Sequence, residues 1–324
     1  MTFGGDPAAR GVTIDGAREI LDVCLDAGVN LVDTADIYSD TVSESILGKA
    51  IAGRRDRLLI ATKARFPTSG DPNDQGLSKA HLIDACEAAL KRLKTDRIDL
   101  YQVHAWDGWT ALEDTFEALD LLTRQGKIRY TGCSNFSAWH LYKAKEAAAT
   151  ARCAYFASQQ IYYSPVGRDA ERELLPASID LGLGNLVWSP LAGGLMTGKY
   201  RRDQPWPAGA RHSSDWDEPP IDDWNYVYDV IDAIVTEADA AGMTPAQTAL
   251  AYLLAKPQIT SLIVGARSRG QIEDSLNASE SVLDPEAVDR LDRVSARPLQ
   301  YPYWHQARTL GGRLGPADRV ALRL

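Results

Sequence analysis

The feature that most constrains this chain is an alternation. Short apolar runs recur near 31–36, 58–64, 98–105, 128–133, 155–161, 184–190 and 261–265, and stretches of helical period separate them. Strand–helix units repeated in this way argue a parallel sheet, because each return to the same strand direction needs a crossover. The helical stretches carry their own punctuation. In SESILGKAIAG, Thr41 and Glu44 fit a capping box and Gly53 a stop. LSKAHLIDACEAALKRLK follows, then ALEDTFEALDLLTRQGK, which ends in Gly126, and Thr244 with Pro245 and Gln247 marks a further start.

Two architectures fit such a repeat. A doubly wound sheet that binds a dinucleotide usually shows GxGxxG after an early strand. Gly4-Gly5, Gly193-Gly194 and Gly311-Gly312 do not have that spacing. A (β/α)₈ TIM barrel instead gathers its site from the C-terminal ends of several strands. Asp33, Lys63, His104, Ser134, Asn135, Gln160, Trp188 and Gly265 all fall at such ends. The expected fold is therefore α/β, a (β/α)₈ TIM barrel forming a single domain over residues 1–324. The long irregular stretch from Arg201 to Trp224 follows the strand NLVWSPL and is expected over the barrel mouth, as a lid.

Composition narrows the function classes. The 324 residues are 45% hydrophobic and 24% charged, with a formal net charge of -9. That balance argues against nucleic-acid or anionic-membrane partners, though a local basic cluster could still hold an anionic cofactor. No run of apolar residues is long enough to span a bilayer. The start MTFGGDPAAR does not read as a secretory leader. Cys24, Cys86, Cys133 and Cys153 show no metal spacing, and Cys24 and Cys86 read as small buried thiols. His81, His104, His140, His212 and His305 form no HxH or HExxH pair, so no metal is expected. A reducing, cytoplasmic setting fits.

The chemistry concentrates in Asp33 and Tyr38 of NLVDTADIY, Lys63 of LLIATKA and His104 of DLYQVHAW. A phenol is a weak acid in water, and a neighbouring cation favours its phenolate and lowers its pKa. A carboxylate holds the cation, and a histidine can hydrogen-bond a substrate oxygen. Such a set suits protonation of an alkoxide as it forms on a carbonyl carbon.

With these residues in view, the chain resembles the aldo-keto reductases, a family of NADPH-using (β/α)₈ barrels. GVNLVDTADIY, LLIATKA, IDLYQVHAWD, GKIRYTGCSNFS, SQQIYYSPVGRDAERE, VWSPLAGGLMTGKY and LIVGARSRGQIEDSLNA carry the resemblance in order, from Gly28 to about Ala278. It implies a catalytic tetrad of Asp33, Tyr38, Lys63 and His104, with Tyr38 the proton donor in reduction of an aldehyde or ketone by NADP(H). It implies that Ser134, Asn135 and Gln160 hydrogen-bond the nicotinamide carboxamide and that Trp188 stacks on its ring. Gln160 fits better than Gln159, because Tyr163 and Arg168 then stand at the family's offsets. Ser189, Leu191, Gly194 and Lys199 match the pyrophosphate-side loop. Gly265, Arg267, Ser268, Gln271 and Asp274 match the adenosine and 2′-phosphate end. Amides suit a carboxamide and a guanidinium suits a phosphate.

The chain departs from the family pattern in two places. Asp274 and Ser275 stand where the family usually has Glu and Asn, so the reach to adenine is expected to be looser. MTFGG stands where the first barrel strand should be finishing, so that strand is expected as a stub around Thr2–Gly4, with less stability and weaker NADPH binding.

Blander readings stand beside these. Asp33 and Lys63 alone would make an ordinary ion pair. His104 or Trp188 alone would be core, Ser134-Asn135 a cap, and Lys199, Arg201-Arg202, Arg267 and Arg269 a solvated face. Trp106 and Trp216 could line a substrate pocket or pack at the surface. A strand-end lysine also fits a Schiff-base lyase, testable by borohydride trapping on Lys63. Some barrels resembling this family are channel subunits that use the cofactor as a sensor. The resemblance implies a small carbonyl or alcohol substrate, whose identity lies in variable loops.

Overall fold

The computed structural model describes residues 2–4, 11–213, 218–310 and 312–324. Of the residues singled out above, Gly5, Gly311 and Trp216 lie outside the described ones.

Contacts divide the chain into two compact units, residues 1–160 with 265–272 and residues 161–264 with 273–324. In the first, helix α1 (Ile14–Asp26) leads to strand β1 (Leu31–Asp33), then α2 (Val42–Ala50), β2 (Leu59–Ala64), α3 (Lys79–Leu93), β3 (Ile98–Val103), α4 (Leu112–Arg124), β4 (Ile128–Ser134) and α5 (Ala138–Ala151). Strand β5 (Ser158–Tyr162) gives its first three residues to this unit. The second unit contains α6 (Leu174–Leu181), β6 (Gly184–Trp188), α7 (Trp224–Ala241), α8 (Pro245–Leu254) and β7 (Ser261–Leu262). Helix α9 (Arg269–Asn277) begins in the first unit, and α10 (Pro285–Val294), α11 (Tyr303–Thr309) and α12 (Pro316–Leu322) complete the second.

The strands follow one another in chain order, and the registers of β1–β2, β2–β3, β3–β4, β4–β5 and β6–β7 are all parallel. Each apolar run expected as a strand is one, most of them shortened, while β4 and β5 run one residue past the expected end. Near the start, Phe3 bridges Val12, with Gly4 N–H donating to Val12 O at 3.1 Å.

Register positions the chemistry. Lys63 pairs with Gln102, Gln102 with Gly132, and Gly132 with Ser158. A Cβ on Gly132 would meet Ser158 Oγ at 3.0 Å and Gln102 Cγ at 3.2 Å, so a glycine keeps room for the neighbouring polar side chains.

The capping expectations divide. Thr244 and Gln247 form the reciprocal box that starts α8. Thr41 and Glu44 do not form one. Thr41 caps α2 at φ 70° with no side-chain bond. Glu44 is buried and its carboxylate accepts from Thr62 Oγ1 at 2.5 Å and Arg92 Nε at 2.6 Å. A carboxylate without access to water needs a cation more than a helix end needs a second cap. The helix ends at Ala50, ahead of Gly53 at φ 79°.

In the second unit, the described part of the 201–224 stretch is tied to α7. Arg201 pairs with Asp232 at 3.2 Å, Arg202 with Asp229 at 2.7 Å, and Trp206 Nε1 donates to Tyr228 OH at 3.2 Å. Arg201 and Arg202 are thus paired to a helix rather than merely solvated.

Candidate active site

Asp33 is the hub of the first unit's polar cluster. Its Oδ2 accepts from Lys63 Nζ at 2.5 Å, and its Oδ1 accepts from Gln160 Nε2 at 2.9 Å and Gln102 Nε2 at 3.2 Å. Lys63 is fully buried, and its ammonium also donates to Thr34 O at 2.9 Å and Tyr38 OH at 3.5 Å. Asp33, Tyr38 and Lys63 therefore meet as the sequence implied. Gln102 belongs with them and was missed. Its signal is a lone amide inside the apolar run IDLYQV, where an inward polar side chain needs a partner.

The backbone before α2 fixes Tyr38. Ser39, Asp40 and Thr41 lie at φ 52°, 51° and 70°, a left-handed run that side-chain-bearing residues rarely adopt. Ser39 Oγ donates to Phe3 O at 3.3 Å, and Ser43 N–H donates to Tyr38 O at 3.2 Å. Such strain clusters where a site must be held rigid.

His104 is the fourth member. Its ring stands edge-on to Tyr38 with centroids 5.6 Å apart and to Phe66 at 5.0 Å. Burial, with the nearby Lys63 and Arg65 cations, pushes its pKa down to about 3, so the ring is neutral at physiological pH. Its Nδ1 is buried without a hydrogen-bond partner among the described residues.

Electrostatics corrects one expectation. Lys63 does pull the Tyr38 phenol toward ionisation, but burial pushes the other way more strongly, and the pKa stands above that of a free phenol. Lys63 loses to burial in part, yet Asp33 and Tyr38 hold its pKa above the usual lysine value, and it is a cation at neutral pH.

The remaining first-unit residues lie as follows. Ser134 Oγ donates to Gln160 O at 3.0 Å. Asn135 sits at φ 55° and donates from Nδ2 to His104 O at 3.1 Å. Gln160 donates its amide nitrogen to Asp33. A Cβ on Gly265 would meet Thr2 at 3.5 Å. Arg267 N–H donates to Gln271 Oε1 at 2.9 Å, Ser268 Oγ accepts from Gln271 N–H at 3.4 Å, and the Arg267 side chain is exposed.

The second unit holds the others. Trp188 stands 5.1 Å from the Tyr162 ring, and its Nε1 is buried without a hydrogen-bond partner among the described residues. Ser189 Oγ accepts from Gly193 N–H at 3.2 Å, and Leu191 O accepts from Gly194 N–H at 2.9 Å. Gly194 lies at φ 97°, and a Cβ there would sit 3.0 Å from Lys199 Nζ. Asp274 accepts from Thr244 Oγ1 at 3.0 Å and Gln247 Nε2 at 2.8 Å, so its carboxylate is tied to the start of α8.

Trp106 stacks on His140 at 3.7 Å, with Phe136 and Trp139 around it. Among the described residues no cluster of His, Cys, Asp and Glu could hold a metal, and no helix is long and apolar enough to cross a membrane.

Comparison with known proteins places this geometry. The sequence profile described as Aldo/keto reductase family matches residues 1–296. The chain is 39% identical over 310 residues to the uncharacterized oxidoreductase YrpG of Bacillus subtilis, covering 92% of this chain and 91% of that protein. It is 32% identical over 303 residues to a probable voltage-gated potassium channel subunit beta of Arabidopsis thaliana, covering 91% of this chain and 90% of that one. It is 32% identical over 314 residues to norsolorinic acid reductase stcV of Emericella nidulans, covering 93% and 78%. A parallel α/β chain with Asp33, Tyr38, Lys63 and His104 clustered at or just past its strand ends, matched by that profile over most of its length, belongs to the aldo/keto reductase family.

Proposed function

We propose that the chain is an NADP(H)-dependent carbonyl reductase, built as a single (β/α)₈ barrel, with Tyr38 as its proton donor. The observation that carries the reading is the buried Asp33–Lys63–Tyr38 chain of hydrogen bonds beside a neutral His104. The reaction is RCHO or R₂CO plus NADPH and H⁺ giving the alcohol and NADP⁺, and it runs in reverse for alcohol oxidation.

The residues present fit the cofactor. Trp188 offers a flat ring, Ser134, Asn135 and the Gln160 oxygen offer amide and hydroxyl partners, and Ser189, Leu191, Gly194 and Lys199 suit a pyrophosphate. Arg267, Ser268 and Gln271 offer an exposed cationic turn for a 2′-phosphate. When bound, the nicotinamide supplies or takes up the hydride.

Tyr38 gives its proton to the carbonyl oxygen as negative charge develops there. Lys63 and the polarised phenol stabilise that charge more in the transition state than in the ground state. Asp33, held by Gln102 and Gln160, keeps the ammonium aimed at the phenol. Neutral His104 donates a hydrogen bond to the substrate oxygen without adding a second cation. A Schiff-base role for Lys63 is disfavoured, since a buried ammonium held by Asp33 with a raised pKa is a poor nucleophile.

The test is NADPH consumption with a panel of aldehydes, ketones and sugars, run on the wild type and Tyr38→Phe. General acid catalysis is worth roughly 10²–10⁴-fold. The loss should fall on kcat, with NADPH affinity nearly unchanged. Wild-type rates in Tyr38→Phe remove Tyr38 from the mechanism. The relatives named as channel β subunits favour one second reading, a cofactor-binding regulatory subunit. Tight NADPH binding without turnover of any carbonyl is its signature.

A further inference from the structure

We propose that Arg65 is a substrate-binding residue and that the preferred carbonyl substrates carry an anionic group, a carboxylate or its like, a few bonds from the carbonyl carbon. This rests on the reductase reading above and adds a substrate class to it.

Arg65 directly follows β2, two residues past Lys63. Its guanidinium carbon lies 4.9 Å from the Phe66 ring centroid, and that ring stands edge-on to His104 at 5.0 Å. One aromatic ring therefore separates the cation from the imidazole that orients the carbonyl. Arg65 is half-buried, and its Nε is buried with no hydrogen-bond partner among the described residues.

That lack of a partner is unlike the other arginines of this unit that lie close to buried carboxylates. Arg92 is bonded to Glu44, and Arg55 and Arg129 to Asp99. The acids of the loop that follows Arg65, and Asp107 after β3, are already engaged, with Asp71 accepting from Asn73 N–H at 2.8 Å. Asp74 accepts from Thr68, and Asp107 accepts from Leu77, Trp109 and Thr110. A half-buried guanidinium without a carboxylate is costly unless something else meets it. Guanidinium geometry favours a carboxylate or phosphate through paired N–H donors. The cation lies over the Phe66 ring, a contact that restrains it, so less freedom is lost when an anion docks.

The test pairs 4-carboxybenzaldehyde with its methyl ester, at equal NADPH, on the wild type, Arg65→Gln and Arg65→Lys. The wild type should favour the free acid. Arg65→Gln should lose about tenfold or more of kcat/KM on the acid, the scale of one charge-assisted hydrogen bond, and stay within about twofold on the ester. Arg65→Lys should keep part of the preference, and added salt should erode it. An unchanged acid-to-ester ratio in Arg65→Gln overturns the proposal. A second measurement needs no turnover. Benzoate binding to the protein with NADP⁺, followed by calorimetry, should weaken about tenfold in Arg65→Gln while benzyl alcohol binding does not. Arg65-dependent benzoate binding without any aldehyde turnover sustains the anion site and sinks the reductase reading, whereas equal benzoate affinity in both proteins sinks the anion site alone.

Discussion

At the scale of single residues, the site is governed by how few of its charges reach water. Asp36 makes the point beside the tetrad. It is 1% exposed, its Oδ1 accepts from Ile37 N–H at 2.6 Å, and its Oδ2 has no hydrogen-bond partner among the described residues. Burial, with Glu44 adding to it, pushes its pKa up to about 7, while the Ile37 N–H and Arg92 pull down. The sign of the linkage follows. Between the unfolded value near 4 and about 7 the folded chain holds a proton that the unfolded chain has released. Stability from this group is therefore lost as pH rises through that window and is flat above it. At about 1.4 kcal/mol per unit, the full effect is on the order of 4 kcal/mol, less whatever relaxation allows. Asp36→Asn removes the titration and keeps an acceptor for Ile37. Urea midpoints of the two proteins should diverge in favour of Asp36→Asn from pH 5 to 7 and run parallel above. Parallel behaviour throughout would place the carboxyl in better contact with water than its burial implies.

At the scale of elements, the α2–α3 contact supports the strand ends that carry Asp33 and Lys63. A Cβ on Gly48 would lie 2.5 Å from Arg92 O and 2.6 Å from Leu93 C, so the glycine lets α2 press against the end of α3. The same approach brings Glu44 to Arg92. Backbone carbonyls cannot swing aside as a flexible side chain can. Gly48→Ala should cost about 1–3 kcal/mol by forced separation, read as a drop in the urea midpoint with an unchanged slope. An unchanged midpoint would mean that the helices part freely.

This contact also marks the limit of what the sequence made legible. Strand positions were readable because apolar runs and helical periods are local signals, and Asp33, Tyr38, Lys63 and His104 were readable because they sit at the ends of those runs. The partners of Glu44 were not. Its local pattern, Ser or Thr three residues before Glu, is that of a cap, and only the distant Arg92 and Thr62 reassign it. The Tyr38 shift was misjudged for the same reason, since proximity to Lys63 can be read from family spacing but the depth of burial cannot. Gln102 lay inside a string already singled out and Arg65 directly after one, yet each is significant only through what stands across the strands or around the ring beside it.

At the scale of the whole molecule, the expectation to test is linkage between cofactor and stability. A ligand that binds only the folded chain stabilises it by about 2.7 kcal/mol at a hundred times its Kd. For a chain of 324 residues that is a Tm rise of several degrees, at roughly 2–4 °C or somewhat less per kcal/mol. The net charge of -9 opposes the approach of a polyanion, so the phosphates must be met locally. Arg267 is exposed beside the Gln271 and Ser268 turn, a place where a 2′-phosphate would find a guanidinium. A charge-assisted hydrogen bond is worth about 1.5–3 kcal/mol, so NADPH should raise Tm more than NADH at the same concentration. Arg267→Ala should bring the NADPH shift down to that of NADH and leave the NADH shift alone. An NADPH shift that stays above the NADH shift in Arg267→Ala would move phosphate recognition away from Arg267, to Ser268 or Arg269, and equal shifts in the wild type would show that the 2′-phosphate is not read. No shift with either nucleotide would remove the cofactor, and with it the hydride chemistry that the Asp33–Lys63–Tyr38 cluster is proposed to serve.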